Sequence, residues 1–349
     1  MKIDWKGAVG ILISAVLLWW ALHRVRFDEV WLALRHANIP LFIASSAAAT
    51  TVVPLRARRW RPILDPVAPK LPFAVLWPAT AIGVAINNVV PARVGELMRA
   101  FALTRETPRV KLPAALASIA VDRLFDGLVV LCLTLVAMLM PAFPRNARVG
   151  DLSAVRWAII GLLLMGGLMV ALYAVVFFPA WLIRLYEGLS RRLAPRLEAP
   201  GRAALQAFAD GLSVLRHGPR FAAVFGWATV LWLTNALSFW LAFRAVGVPA
   251  SFSTALFLQG IVAIGVAVPS APGFFGVFEA CAIIGLAVYG VPRDQAVTWA
   301  IGYHILSFIP ITLIGMWYFA RLGLHFRDVG AAENGTLPAS APSRRAGAA

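Results

Sequence analysis

The sequence predicts an all-α polytopic membrane protein made of two inverted repeats, each holding a re-entrant helical hairpin. Three observations lead there. Sixty per cent of the 349 residues are hydrophobic and 14% are charged, with a mean hydropathy of +0.79, whereas roughly a quarter of a soluble domain is charged. Apolar runs long enough to span a bilayer recur along the chain. Finally, one stretch is written twice: Pro91 to Arg123 and Pro272 to His304 share a spacing at a constant offset of 181. That offset pairs Pro91 with Pro272, Gly95 with Gly276, Ala115 with Ala296 and Arg123 with His304. Chance matching in an Ala- and Val-rich chain is the competing explanation. In membrane proteins, interrupted apolar segments at matching places in two halves point to a substrate site near the midplane.

The spans follow in order. Apolar runs lie near 7–22, 39–54, 113–140, 154–178, 221–246 and 296–320, and about 20 residues cross the hydrocarbon core. Lys2 and Lys6 precede the first run as in a signal peptide, but no small-x-small cleavage site follows at His23–Phe27. It reads as an uncleaved first span. Residues 55–70 carry Arg56, Arg58, Arg59, Arg61 and Lys70 against Asp65; residues 91–112 carry Arg93, Arg99, Arg105, Arg109 and Lys111 against Glu96 and Glu106. Both basic loops are expected on the cytoplasmic side. A single crossing by the apolar stretch 71–90 would put one of them outside. A hairpin that dips in over 71–90 and returns over 92–106 keeps both inside. Such a turn is tolerated at membrane depth where protein or a wet cavity surrounds it, and Asn87, Asn88 and Pro91 suit its tip.

Span 113–140 then goes out and 154–178 returns, leaving the arginine-rich segment 180–220 cytoplasmic. Span 221–246 goes out again, 254–290 forms the second hairpin from the outer side, and 296–320 returns to Arg321 and Arg327. Counting 71–90, 254–269 and 274–290 as full spans is the alternative topology. Leu205, Phe208, Leu212 and Leu215 fall at helical spacing beside arginines, as in an amphipathic helix on the inner leaflet. Residues 331–349 lack periodicity and read as a disordered tail. The transmembrane domain is thus 1–330, with repeat halves at about 39–140 and 221–320.

The formal charge of +16, from 32 Lys and Arg against 16 Asp and Glu, sits in loops. The positive-inside rule explains it without a nucleic-acid partner. Cys132 and Cys281 lie within apolar segments and imply neither a disulfide nor a metal site. No G-x-x-x-x-G-K-[ST] or H-E-x-x-H run occurs, so neither ATP-driven transport by this chain alone nor a cofactor or metal is expected.

Polar chemistry inside the apolar segments marks the candidate site. Asp122, Arg123 and Asp126 sit within one apolar helix, where each costs about 2.5–3.5 kcal/mol at a helix centre unless paired or hydrated. Arg123 is one turn from Asp126. They read either as a structural ion pair near the inner end of the span or as the charged wall of a cavity. In the first hairpin, Asn88, Pro91, Arg93, Gly95, Glu96 and Arg99 follow in close order. Pro91 suits a helix start, and Glu96 is placed to pair with Arg99, three residues on. A helix N-terminus beside Arg93 favours phosphate or carboxylate; the plainer reading is that Arg93 and Arg99 mark the cytoplasmic interface. In the second hairpin, Pro269 to Gly276 ends one helix and restarts another, with Pro272, Gly273 and Gly276 at the turn. Glu279 follows on the first new turn and needs a partner, for which His304 and Arg123 are the candidates. His304 itself reads as a packing residue or as a proton-handling group.

These runs resemble the lysylphosphatidylglycerol synthase transmembrane domain family, whose members are often labelled flippase-like. The resemblance rests on N-x-x-P-x-R-x-G-E-x-x-R at 88–99, Asp122-Arg123-Leu124-Phe125-Asp126, and Pro272-Gly273-Phe-Phe-Gly276-Val277-Phe278-Glu279, and covers roughly residues 5–322. The family often has P-G-G-x-G in the last motif, where this chain has Phe274. The resemblance implies lipid handling. In the best-known members this region moves an aminoacylated phospholipid and is joined to a cytosolic aminoacyl-transferase domain; other members are associated with hopanoid or polyprenyl-glycolipid pathways. Only a short tail follows Arg327, so a self-contained lysyl-transferase is not expected.

The expected function is therefore binding and translocation, without enzymatic chemistry, of an amphiphilic lipid with an anionic head group in a bacterial inner membrane, both termini cytoplasmic. Arg93, Arg99 and Arg123 are expected to bind the head group, with Asn88, Glu96, Asp122, Asp126, Glu279 and His304 in supporting or pairing roles. The alternatives are a lipid-group transferase, or a scaffold holding a cytosolic lipid-modifying enzyme through 180–220. Homo-oligomerisation is open.

Overall fold

The computed structural model describes residues 35–90, 94–144, 217–266 and 271–333 without interruption, together with 179–193 and scattered shorter pieces. The predicted spans 7–22 and 154–178, the helix expected around Leu205–Leu215, and Pro91, Arg93 and Pro269 lie wholly or mostly outside the described residues.

The described part is helical, apart from a two-residue antiparallel pairing of Arg148–Val149 with Leu152–Ser153. Helix α1 spans Ile39–Leu64, α2 Phe73–Val89, α3 Gly95–Glu106 and α4 Leu112–Leu139. After α5 (Pro179–Leu193) come α6 (Gly218–Ala245), α7 (Phe252–Gly265), a 3-10 turn at Pro272–Phe274, α8 (Val277–Ala287), α9 (Arg293–Arg321) and α10 (Phe326–Glu333). The last of these runs three residues into the predicted tail.

Helices α1, α6 and α9 are long and apolar enough to cross a membrane. Helix α4 has 28 residues but carries Asp122, Arg123 and Asp126 in its middle. By contrast α2, α3, α7 and α8 have 17, 12, 14 and 11 residues, short of the roughly 20 a crossing takes. The bounds repeat. Adding 181 to α1, α3 and α4 gives 220–245, 276–287 and 293–320, against 218–245, 277–287 and 293–321 for α6, α8 and α9.

Local sequence explains the ends. Asn38 caps α1, its side chain accepting from the Leu41 amide at 3.1 Å. Ser251 does the same for α7 with the Thr254 amide at 3.3 Å. One correction concerns 55–70. Read as a loop, its first ten residues continue α1 through Pro54 and Pro62, and they turn Arg59 and Trp60 fully inward.

Packing forms two apolar cores. One gathers α1, α2, α3 and α4 around Trp60, Met98 and Phe125; the other gathers α6, α7, α8 and α9 around Phe239, Phe243 and Trp299. The halves also pack across: α6 lies along α1, α9 along α2, and α7 along α4. Small residues permit the close approaches. A side chain at Gly95 would run into the Gly83 carbonyl and the Asn87 side chain, and one at Gly315 into the Ala81 carbonyl. Ile39, Ile43, Leu139, Leu237, Leu313 and Trp317 face outward, as suits a surface solvated by lipid chains.

Candidate functional site

Four helices converge on one buried ion cluster. Asp122 and Asp126, a turn apart on α4, share a face. Asp122 Oδ1 receives Arg59 from α1, at 2.8 Å from Nε and 2.6 Å from Nη2, while Oδ2 receives Arg99 Nη1 from α3 at 2.9 Å. Asp126 Oδ1 accepts from Arg59 Nη1 at 2.6 Å and from the Trp232 indole on α6 at 2.8 Å. Its Oδ2 takes Arg56 Nη1 at 2.9 Å and Arg123 Nη1 at 3.3 Å. Arg123 Nη2 continues to Glu96 Oε1 at 2.6 Å.

The placement differs from the expected pairing in two ways. Glu96 meets Arg123 and not Arg99, because α3 carries Arg99 inward over the Trp60 ring, 3.9 Å from its centroid, and onto Asp122. And Arg56 and Arg59, assigned to a cytoplasmic loop, lie at the centre. Their signal was available. Two carboxylates in α4 face a single arginine there, and such an excess calls for cations from another segment.

The charges nearly balance. Among the described residues four guanidiniums face three carboxylates, Glu96, Asp122 and Asp126. Arg59 has no exposure and all its pairing satisfied by the two aspartates, whereas Arg99, 3% exposed, leaves Nε and Nη2 without a partner. Arg123 is the accessible member, its side chain 46% exposed.

The first hairpin turn is tied by asparagines. The Gly95 amide donates to Asn87 Oδ1 at 2.8 Å, and Asn87 Nδ2 reaches Glu96 Oε2 at 3.4 Å. Asn88 Nδ2 bonds Thr312 Oγ1 of α9 at 2.8 Å. Helix α3 begins at Gly95, four residues after Pro91.

In the second hairpin Glu279 Oε2 caps α8 by accepting from the Gly276 amide at 2.6 Å, one half of a capping box. Its Oε1 lies 2.7 Å from His304 Nδ1, and His304 Nε2 donates to the Gly273 carbonyl at 2.8 Å. A carbonyl only accepts, so this contact gives Nε2 the donor role. His304 stacks on Phe275 at 4.2 Å between ring centroids. Arg123, the other candidate partner, is engaged in the first half. The turn backbone is left-handed at Gly273 (φ 67°), Phe274 (φ 63°) and Gly276 (φ 85°). At Phe274 this costs about 1–2 kcal/mol, and a second glycine, as in the P-G-G-x-G pattern, would avoid it.

Between the hairpins lies a cleft of about 250 Å³. Asn88 of α2, Trp232 and Asn235 of α6, Gln259 of α7, and His304 and Ser307 of α9 supply its polar lining. Trp232 therefore belongs to both places, its ring on the cleft and its N–H on Asp126. A larger groove of about 480 Å³, lined by Trp77, Leu313, Ile314, Trp317 and Tyr318, includes the outward-facing Leu313 and Trp317 and borders none of the charged groups. Among the described residues, no three His, Cys, Asp or Glu side chains converge as metal ligands.

The chain matches the family described as the lysylphosphatidylglycerol synthase TM region over residues 7–315. It belongs to that family. Two UPF0104 membrane proteins of Methanothermobacter thermautotrophicus are each 23% identical, over 329 and 338 residues; these cover 89% and 88% of this chain and 94% and 91% of theirs. A glycosyltransferase of Haloferax volcanii, AglD, is 32% identical over 123 residues, covering 35% of this chain and 19% of that protein. The chain is thus a membrane protein of the lysylphosphatidylglycerol synthase TM and UPF0104 type.

Proposed function

We propose that this member of the lysylphosphatidylglycerol synthase TM family binds an amphiphilic lipid with an anionic head group and passes it between leaflets, as a conduit without enzymatic chemistry. The observation that carries the reading is Arg99: a buried guanidinium held by Asp122 through Nη1, with its Nε and Nη2 nitrogens unpartnered, in a cluster of four cations and three carboxylates among the described residues. Buried donors left unmade beside an excess of one cation are costly, and an anion offsets that cost. Arg123, half exposed at the edge, would meet the head group first, and Arg93 is proposed as a further ligand on its sequence alone. The carboxylates hold the guanidiniums in place, and the lipid chains stay in the bilayer.

The matching helix bounds support two repeats, and the short hairpin helices support re-entrant segments. Together with the basic residues that remain outside the buried cluster they favour inverted repeats and cytoplasmic termini, and our reading places the chain in a bacterial inner membrane. Membrane lipids are the partners in this reading.

The test uses proteoliposomes carrying fluorescent phosphatidylglycerol or phosphatidylcholine, with an outside quencher reporting leaflet exchange. The wild type should move phosphatidylglycerol faster, and Arg99→Gln should lose that advantage while eluting as a folded protein. Equal rates for both lipids in both proteins would sink the proposal.

A further inference from the structure

The cleft between the hairpins differs in chemistry from the ion cluster beside it. Among the described residues no Arg, Lys, Asp or Glu side chain lines it, and the His304 ring is engaged by Gly273 and Glu279. A cationic occupant would need a free carboxylate on this wall and an anionic one a guanidinium, because charge leaves water at high cost without a partner. What the wall does offer is amides and a hydroxyl, from Asn88, Asn235, Gln259 and Ser307, set among aromatic faces such as Trp232 and Phe278.

Gln259 gives the pointer to a ligand. It is 1% exposed; its Oε1 accepts from Asn235 Nδ2 at 3.4 Å, and its Nε2 has no partner. A buried amide donor left unmade is rare and costly. Gln259 sits on α7 one turn from Val262 and Ala263, which line the same space, so an acceptor placed in the cleft would satisfy it. The volume decides the size. About 250 Å³ falls below the roughly 300–1,000 Å³ of drug-sized sites, enough for one compact group and too small for a whole lipid.

We propose that this cleft is a second binding site, for an uncharged, hydroxyl-rich group the size of one sugar ring or a short polyol. Amides donate to and accept from hydroxyls, and the aromatic faces cover the C–H surfaces. The site deepens the lipid reading and rests on it only for the tail that would deliver the group from the bilayer.

The experiment places the full chain in phosphatidylcholine nanodiscs containing equal amounts of phosphatidylglycerol and monoglucosyl diacylglycerol. Native mass spectrometry then reads the lipids retained. The glucosyl lipid should be held in preference to phosphatidylcholine. Gln259→Leu should reduce that preference about five- to tenfold, the scale of one buried hydrogen bond, and Ala263→Leu, which fills the cleft, should do the same. Both variants are scored only if their elution and melting match the wild type, and Asn235→Leu replaces either one that fails.

No preference in the wild type, or a preference unchanged in the folded variants, overturns the site. Displacement by free glucose would assign recognition to the sugar alone; retention in its presence would assign it to the sugar carried on a lipid. A glucosyl preference that persists without any phosphatidylglycerol preference would remove the anionic reading and leave this site standing.

Discussion

The Trp232 indole on α6 donates to Asp126 Oδ1 on α4 at 2.8 Å while its ring lines the cleft between the hairpins. One side chain thus joins the second half of the chain to the ion cluster of the first. Anything that moves α6 against α4 changes both the cleft wall and the fourth donor on Asp126.

Trp232→Phe keeps an aromatic face and removes the donor. The loss of a hydrogen bond to a charged group costs about 1.5–3 kcal/mol. We expect a lower melting temperature in detergent and slower lipid exchange, with the protein still monodisperse. Unchanged exchange would mean that the link does not serve transport.

Arg59→Leu should be the most damaging substitution in the cluster. It strips both aspartates of their shared, fully buried partner, and breaking a buried pair from one side costs about 3–5 kcal/mol. Arg59→Lys should not rescue it, since an ammonium lacks the fork that spans Asp122 and Asp126. Adding Asp122→Leu should cost less than the sum of the two single changes in a thermal-stability cycle.

Gly95→Ala should disrupt the first hairpin, because the added methyl meets the Gly83 carbonyl and Asn87. Overpacking of this kind costs about 1–3 kcal/mol or more. Gly127→Ala, where nothing lies within 4 Å of the new carbon, is the internal control and should match or exceed wild-type stability. Equal melting of the two variants would contradict the close packing described for α2 and α3.

Glu279→Gln should preserve the second hairpin turn. Its carbonyl oxygen can still accept from the Gly276 amide, and its NH₂ can donate to His304 Nδ1. Glu279→Leu leaves both partners unmade in a buried place, at about 1–3 kcal/mol each. The measurement is the melting temperature of the two variants side by side; the glutamine protein should stay near wild type.

The helical class and the membrane class were legible in the residues, because both follow from local hydropathy and period. So were the apolar runs around 39–54, 221–246 and 296–320, which match to within a residue parts of α1, α6 and α9, the helices long and apolar enough to cross a membrane; the run 113–140 matches α4 as a helix to within a residue. The restart of a helix just before Glu279 was legible too, since Pro272 and the glycines after it constrain the backbone without help from elsewhere.

Partner choice was not. Glu96 lies three residues from Arg99 and 27 from Arg123, and proximity along a helix favours the first; packing of α3 on α4 selects the second. Arg56 and Arg59 looked like loop charges because a basic run at the end of an apolar span normally marks the interface. Their burial comes from α1 continuing to Leu64 and laying that face on α4, 63 to 70 residues away in sequence. Propensity, hydropathy and turn chemistry act over a few residues, so the sequence by itself determined the helical and membrane class, the break before Glu279 and the family. Which cation meets which carboxylate depends on how those helices pack, and only the tertiary structure decided it.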